Sequence, residues 1–440
     1  MNNILKFKAN YFKQLFIYKI NVHRWVYPVI GSVINLILGG IYCFSLYYQA
    51  LQTTYNLSLV APLVLAYSIA MLLDVVAVFI GGIVYDKKGP KLNIFVGAIL
   101  LFIGHFIGWS LHAVSDWNTA RWFYYIGLGM MQGLGVGLTY SVTASTVIKW
   151  FPDRPGLASG IVVFGFGISA TVLAPLIQYF LNTVGVFQTF IRVGLIYLLV
   201  LVIAGIFFKN PPQDYKPYIS ANSEKRSSLR FHPSTPLVDL TLKEAVKTSK
   251  FYILWLVHAF SAFAGLMIIG NIAPIINESG IISGFDLTYI TNTVIPFSMM
   301  VTSIFNACGR PFWGEVSDKI GVWKAMRLNF LITAILLIVL SFTYVNPWSF
   351  LIVVVWIYFC YGGILTLFSP ATALLFGRKN FGRIYGLICT AWGTAGLTGG
   401  ATGALIRDLT GSYLYSFYLA AFLSLIATAI ATLGAGQKLQ

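Results

Sequence analysis

Apolar residues in this chain gather into runs of about twenty, separated by short charged or Pro/Gly-rich breaks. A run of that length crosses a ~30 Å hydrocarbon core as a helix. Cutting at the breaks predicts spans near 25–48, 60–85, 92–112, 122–148, 156–181 and 188–208, then 251–275, 287–316, 324–344, 349–376, 384–406 and 412–435. The expected architecture is an all-α membrane protein with twelve transmembrane helices in two bundles of six. The alternating segments of a transmembrane β-barrel are absent. Residues 209–250 are polar, contain Pro and Ser, and can neither span a bilayer nor bury a core. They divide an N-terminal bundle, 25–208, from a C-terminal bundle, 251–435, with tails at 1–24 and 436–440. The basic tail precedes an apolar run too long for a signal-peptide core, and "GGIYCFSLYY" makes a poor cleavage site, so the run reads as a retained first span.

Composition agrees with that pattern. The chain is 58% hydrophobic and 10% charged, with a mean hydropathy of +0.79, whereas a soluble domain is roughly a quarter charged. A net charge of +16 would suit a nucleic-acid partner if the basic residues clustered on one soluble face. Instead about 25 of the 29 Lys and Arg fall in the N-terminal tail, the loops after even-numbered spans, the central loop and the C-terminal tail. Arg121, Arg192 and Arg407 fall in the opposite connections, and Arg310 lies within a span. The positive-inside rule then places both termini and the central loop in the cytoplasm, in a multi-pass protein of the cell membrane with no nucleic-acid partner.

Cys43, Cys308, Cys360 and Cys389 fall inside predicted spans without a CxxC pair, which implies buried apolar thiols and no metal site. No P-loop, HExxH or nucleophile elbow is present, so no enzyme activity, cofactor or ATP-driven pumping is expected.

Two loops repeat each other at half-chain spacing. "GGIVYDKKGPK" at 81–91 and "WGEVSDKIGVWK" at 313–324 share the frame G-x-x-x-D-K-x-G and a following basic residue. The positions are Gly82, Asp86, Lys87, Gly89 and Lys91 in one, Gly314, Asp318, Lys319 and Gly321 in the other. Each follows the second span of its half, as a duplicated six-helix unit requires. The first glycine is expected to allow close helix approach and the second a tight turn, with the aspartates at helix ends beside lysines and helix N-termini. Such a loop can clip one helix to its neighbour in one state and release it in another.

These features together resemble the major facilitator superfamily over nearly the whole chain. "KWFPDRPGLASG" at 149–160 and "CGRPFWGEVSDKIG" at 308–321 are similar to the oxalate/formate antiporter family and the related monocarboxylate transporters. The resemblance implies alternating access, with two bundles rocking about one site near the membrane midplane.

Arg310 is the residue that needs an explanation. It lies eight residues deeper than Asp318, or about 12 Å at 1.5 Å per residue, beyond what a surface residue would occupy. A guanidinium stays charged at biological pH and offers two parallel N–H groups that match a carboxylate. Asn306, at i−4, projects on the same face. In the family the arginine at this position binds substrate carboxylate. Tyr140 and Trp392 lie near the same depth, and Tyr42 and Tyr361 match positions where the family carries cavity aromatics. With Cys389 these make the candidate substrate-binding set.

Trp392 departs from the family pattern. Oxalate exchangers of the family carry a lysine midway along the eleventh helix, and the aligned residue here is Trp392, with no second deep cation. A dianion facing one cation would keep an uncompensated charge in low dielectric. The expected substrate is therefore a monocarboxylate such as lactate, pyruvate, formate, acetate or glycolate.

Asp74 lies twelve residues before Asp86, about 18 Å from that end of its helix. An ionisable group at that depth is a candidate proton carrier, the alternative being a structural partner of a neighbouring helix or of Arg310. His105 and His258 also lie within spans and read as packing residues. The reading that results is a proton-coupled monocarboxylate symporter acting as a monomer in the bilayer. A carboxylate anion exchanger and a non-transporting sensor on the same scaffold remain open beside it.

Overall fold

The computed structural model describes residues 24–151, 155–212, 215, 239–377 and 380–436. The N-terminal tail up to residue 23, most of the central connection and residues 437–440 lie outside them. Among the described residues there are twelve helical spans. The first runs as Val26–Leu38, a 3-10 turn at Gly39–Cys43 and Leu46–Tyr55. The second and third are Ala61–Lys88 and Pro90–Ser110. The fourth joins Trp117–Tyr124, a π turn at Tyr125–Met131 and Gln132–Trp150. The fifth and sixth comprise Pro155–Gly167 and a continuous run Ser169–Phe207, broken at Gly185 by a φ of 77° that only glycine adopts without strain.

The seventh span is Ser249–Ile282, and the eighth passes from Leu287–Tyr289 through a π turn at Ile290–Val294 into Ile295–Ile320. The ninth to twelfth are Val322–Thr343, Pro347–Phe376, Phe381–Thr410 and Leu414–Gly436. Eight helical stretches are apolar enough to cross a membrane on length and composition alone, and one of them holds two spans. The fourth, eighth and eleventh fall short because Gly, Ser and Thr interrupt their apolar faces.

The halves meet chiefly where the second span packs on the eleventh and the fifth on the eighth. Spans six apart are repeat mates, so each contact is the image of the other. Glycines of the eleventh span bring the backbones close: a Cβ at Gly393 would stand 2.8 Å from Val75, and one at Gly396 would stand 2.5 Å from Met71. Small residues are how helices pack when lipid removes the hydrophobic drive between them.

The end of the bundle that carries the 81–91 and 313–324 loops is called the near end. Gly89 and Gly321 there have φ of +73° and +86°, and each donates its N–H to the carbonyl four residues back, Tyr85 and Ser317. Gly82 and Gly314 differ from expectation, since a Cβ on either would meet nothing within 4 Å. In this conformation they make no close helix contact, and Gly81 does so instead, against Ser141 and Asn93. Asp318 is exposed and unpaired among the described residues, while Lys319 pairs with Glu315 at 2.8 Å within its own helix. The side chain of Asp86 lies outside the described set.

Two further expectations are corrected. Cys308 is exposed, not buried, because it belongs with Ile304 and Phe312 to the outward stripe of the eighth span; Cys43 and Cys360 are buried and Cys389 is partly so. The connection expected to be loop throughout ends in a short helix, Leu242–Ala245, held by a capping box between Thr241 and Glu244.

Candidate functional site

Arg310 points into the bundle. It is 5% exposed, so its head does not reach the interface, and Nε and both terminal nitrogens have no hydrogen-bond partner among the described residues. One turn earlier, Asn306 is fully buried and both atoms of its amide are likewise unpartnered. The packing around them explains their placement. Gly167 of the fifth span faces the eighth so closely that a Cβ there would stand 3.0 Å from the Ala307 Cα and 3.1 Å from Arg310 Nε. Ser303 fastens the contact by donating to the Gly167 carbonyl at 2.6 Å. Across from Asn306, Gly362 of the tenth span leaves the amide its space. A buried guanidinium without a counter-charge is costly, and a bound anion would offset that cost.

Asp74 does not supply the counter-charge. It is 4% exposed, forms no ion pair with Arg310, and its Oδ1 has no partner among the described residues. Both groups act instead on the same two phenols, since Tyr42 and Tyr140 lie within electrostatic reach of Arg310 and of Asp74. Cys389 is within reach of Tyr140 and Asp74.

The aromatic members form a connected wall. Trp392 Nε1 donates to the Tyr361 hydroxyl at 2.9 Å, and that hydroxyl is 3.3 Å from the hydroxyl of Tyr42 on the other half. Tyr42 and Tyr140 each meet the Phe166 ring edge-on, at 5.2 and 5.6 Å between centroids. A cavity of about 10 Å³, lined by Tyr42, Thr302, Ser303, Asn306 and Tyr358 among others, lies beside them. That is about the room one water needs, so a larger ligand requires the halves to part.

All seven residues of the candidate substrate set, with Asp74, therefore gather at the bundle centre. Sequence reasoning missed Phe166, Tyr358, Ser303 and Tyr385, the last also within electrostatic reach of Arg310. Tyr358 was findable, as it lies one turn from Tyr361 on the same helix face. The histidines stand apart. His105 bonds the Leu101 carbonyl at 2.8 Å and meets Tyr197 edge-on, and His258 stacks on Phe368 at 4.0 Å.

Hydrogen bonds that join described residues of the two halves run from this centre to the far end. Asp408 of the eleventh span accepts from the Val60 N–H at 3.0 Å and the Ala61 N–H at 2.7 Å, at the start of the second span. Gln49 accepts from Asn277 at 3.2 Å and Thr291 at 2.8 Å, and Gln178 donates to Asn292 at 3.3 Å. At the near end Gly160 and Gly314, on the fifth and eighth spans, each face open space. The bundle is thus clasped on one side of its polar centre.

The family model described as Major Facilitator Superfamily matches residues 28–372 and 288–436. Among curated proteins, the oxalate:formate antiporter of Oxalobacter formigenes is 28% identical over 93% of this chain and 91% of its own length. Monocarboxylate transporter 13 of Bos taurus is 24% identical over 78% of this chain and 72% of its own. A solved structure of the xylose transporter XylE from E. coli, partially occluded and inward open, superimposes with a TM-score of 0.69 at 13% identity, covering 92% of this chain and 98% of that one.

Proposed function

The chain belongs to the Major Facilitator Superfamily and is a transporter, not an enzyme, and from that premise we propose that its substrate is a small monocarboxylate moved together with a proton. The observation that carries the substrate class is Arg310, a buried guanidinium with no hydrogen-bond partner among the described residues and within electrostatic reach of Tyr42, Tyr140 and Tyr385. Its two parallel N–H groups fit one carboxylate, and Asn306 offers a further amide donor one turn away. Trp392 brings a single N–H where a second cation would serve a dianion, so the site compensates one negative charge. The names of the two curated relatives, an oxalate:formate antiporter and a monocarboxylate transporter, both concern carboxylates, with formate a monocarboxylate.

Asp74 is the proposed proton site. It is a buried carboxyl that, among the described residues, neither pairs with Arg310 nor has a partner for Oδ1, which leaves it able to change protonation as the site empties and fills. The near end is proposed as the cytoplasmic one on the distribution of Lys and Arg. Exchange of one carboxylate for another remains the second reading, favoured by the 28% identity to an antiporter that covers almost the whole chain.

Uptake of labelled lactate, pyruvate, formate and oxalate into proteoliposomes separates these readings. Monocarboxylate uptake driven by an inward pH gradient supports symport, and uptake only against internal anion supports exchange. No uptake of any carboxylate under either condition would remove the proposal.

A further inference from the structure

The three residues Trp392, Tyr361 and Tyr42 form a hydrogen-bonded line whose direction is set at one end. An indole N–H only donates, so the Tyr361 oxygen accepts at 2.9 Å. Tyr361 is 3% exposed, and Tyr42 at 3.3 Å is the acceptor its own O–H has among the described residues. Donating there leaves no buried hydroxyl hydrogen unmade, which is the condition buried polar groups meet. Tyr42 then accepts, and its remaining O–H has no protein acceptor among the described residues. Its ring lines the small central cavity that Asn306 also lines, and it lies within electrostatic reach of Arg310.

We propose that Trp392 is a positioning residue that sets this line running toward the cavity, so that the Tyr42 O–H is the second donor to the carboxylate held by Arg310. The inference rests on reading Arg310 as the anion ligand. Each donor in such a chain strengthens the next, so the indole N–H sharpens a hydroxyl it never touches. The arrangement also divides the carboxylate between halves, since Arg310 belongs to the C-terminal bundle and Tyr42 to the N-terminal one. A monocarboxylate bound this way draws the bundles together, and a second carboxylate would meet the indole where it needs a cation.

The test is a double-mutant cycle on the full chain in proteoliposomes, with labelled pyruvate and formate as probes. Trp392→Phe and Tyr42→Phe are each expected to raise KM about three- to tenfold with kcat little changed, the size of one neutral hydrogen bond. In a Tyr361→Phe background, Trp392→Phe is expected to add nothing, because the line is already cut. An unchanged KM in Tyr42→Phe, or a Trp392→Phe loss that persists undiminished in the Tyr361→Phe background, would overturn the proposal. Failure of the wild-type chain to take up either probe would instead remove the functional reading on which it rests.

Discussion

Gly167 and Arg310 face each other across the two halves, and a Cβ on residue 167 would stand 3.1 Å from the guanidinium Nε. The same Cβ would lie 3.0 Å from the Ala307 Cα, so the fifth span cannot simply step aside. Gly167→Ala should displace the guanidinium and weaken one charge-assisted hydrogen bond, raising KM for a monocarboxylate about tenfold. Uptake kinetics check this, and an unchanged KM would mean that the guanidinium does not use this position when substrate binds.

Asp408 satisfies the first N–H groups of the second span from the opposite half, where a carboxylate also meets the positive end of the helix. Arg407 beside it lies 3.7 Å from Glu278 of the seventh span and 3.3 Å from Asp408. Asp408→Ala should cost the clasped form about 1 kcal/mol, as loss of a helix cap does, and shift a two-state ratio roughly fivefold toward the far-open form. Spin labels at Thr54 and Leu287, exposed on opposite halves at that end, would report a larger long-distance population. An unchanged distance distribution would mean that Asp408 caps a helix without holding the halves.

Trp392→Lys introduces a second cation at the level of Arg310. It is expected to raise oxalate affinity relative to formate by about tenfold or more, because the second carboxylate gains a charged partner. Competition of unlabelled oxalate against labelled formate reads this directly. If oxalate competes no better in the variant, charge count is not what restricts the substrate.

Asp74→Asn removes a titrating proton and keeps the shape. Uptake driven by a pH gradient should be lost while exchange of internal for external anion persists. Gradient-driven uptake at the wild-type rate would assign the proton to another group.

The twelve spans were legible because lipid imposes long apolar runs, and Arg310 drew attention because a lone deep charge is conspicuous. What escaped the sequence was local. The 3-10 turn that sets Tyr42 at Gly39–Cys43 and the π turns at Tyr125–Met131 and Ile290–Val294 depend on what neighbouring helices demand, and no residue type marks them. The outward direction of Cys308 could have been read from its spacing with Ile304 and Phe312. The open space at Gly82, Gly160 and Gly314 could not, because glycine suits close helix packing and open space alike. Phe166 was hidden among 34 phenylalanines, and only the edge-on contacts to Tyr42 and Tyr140 single it out.

The measurement that bears most directly on the central claim is monocarboxylate binding to purified Arg310→Lys beside the parent protein, by titration calorimetry with pyruvate and formate. Lysine keeps the charge and loses the paired N–H fork. The account predicts at least about a tenfold weaker Kd for the variant, the loss of a charge-assisted bond. Equal affinity in the two proteins would contradict it, and Arg310 would then not be the group that holds the carboxylate.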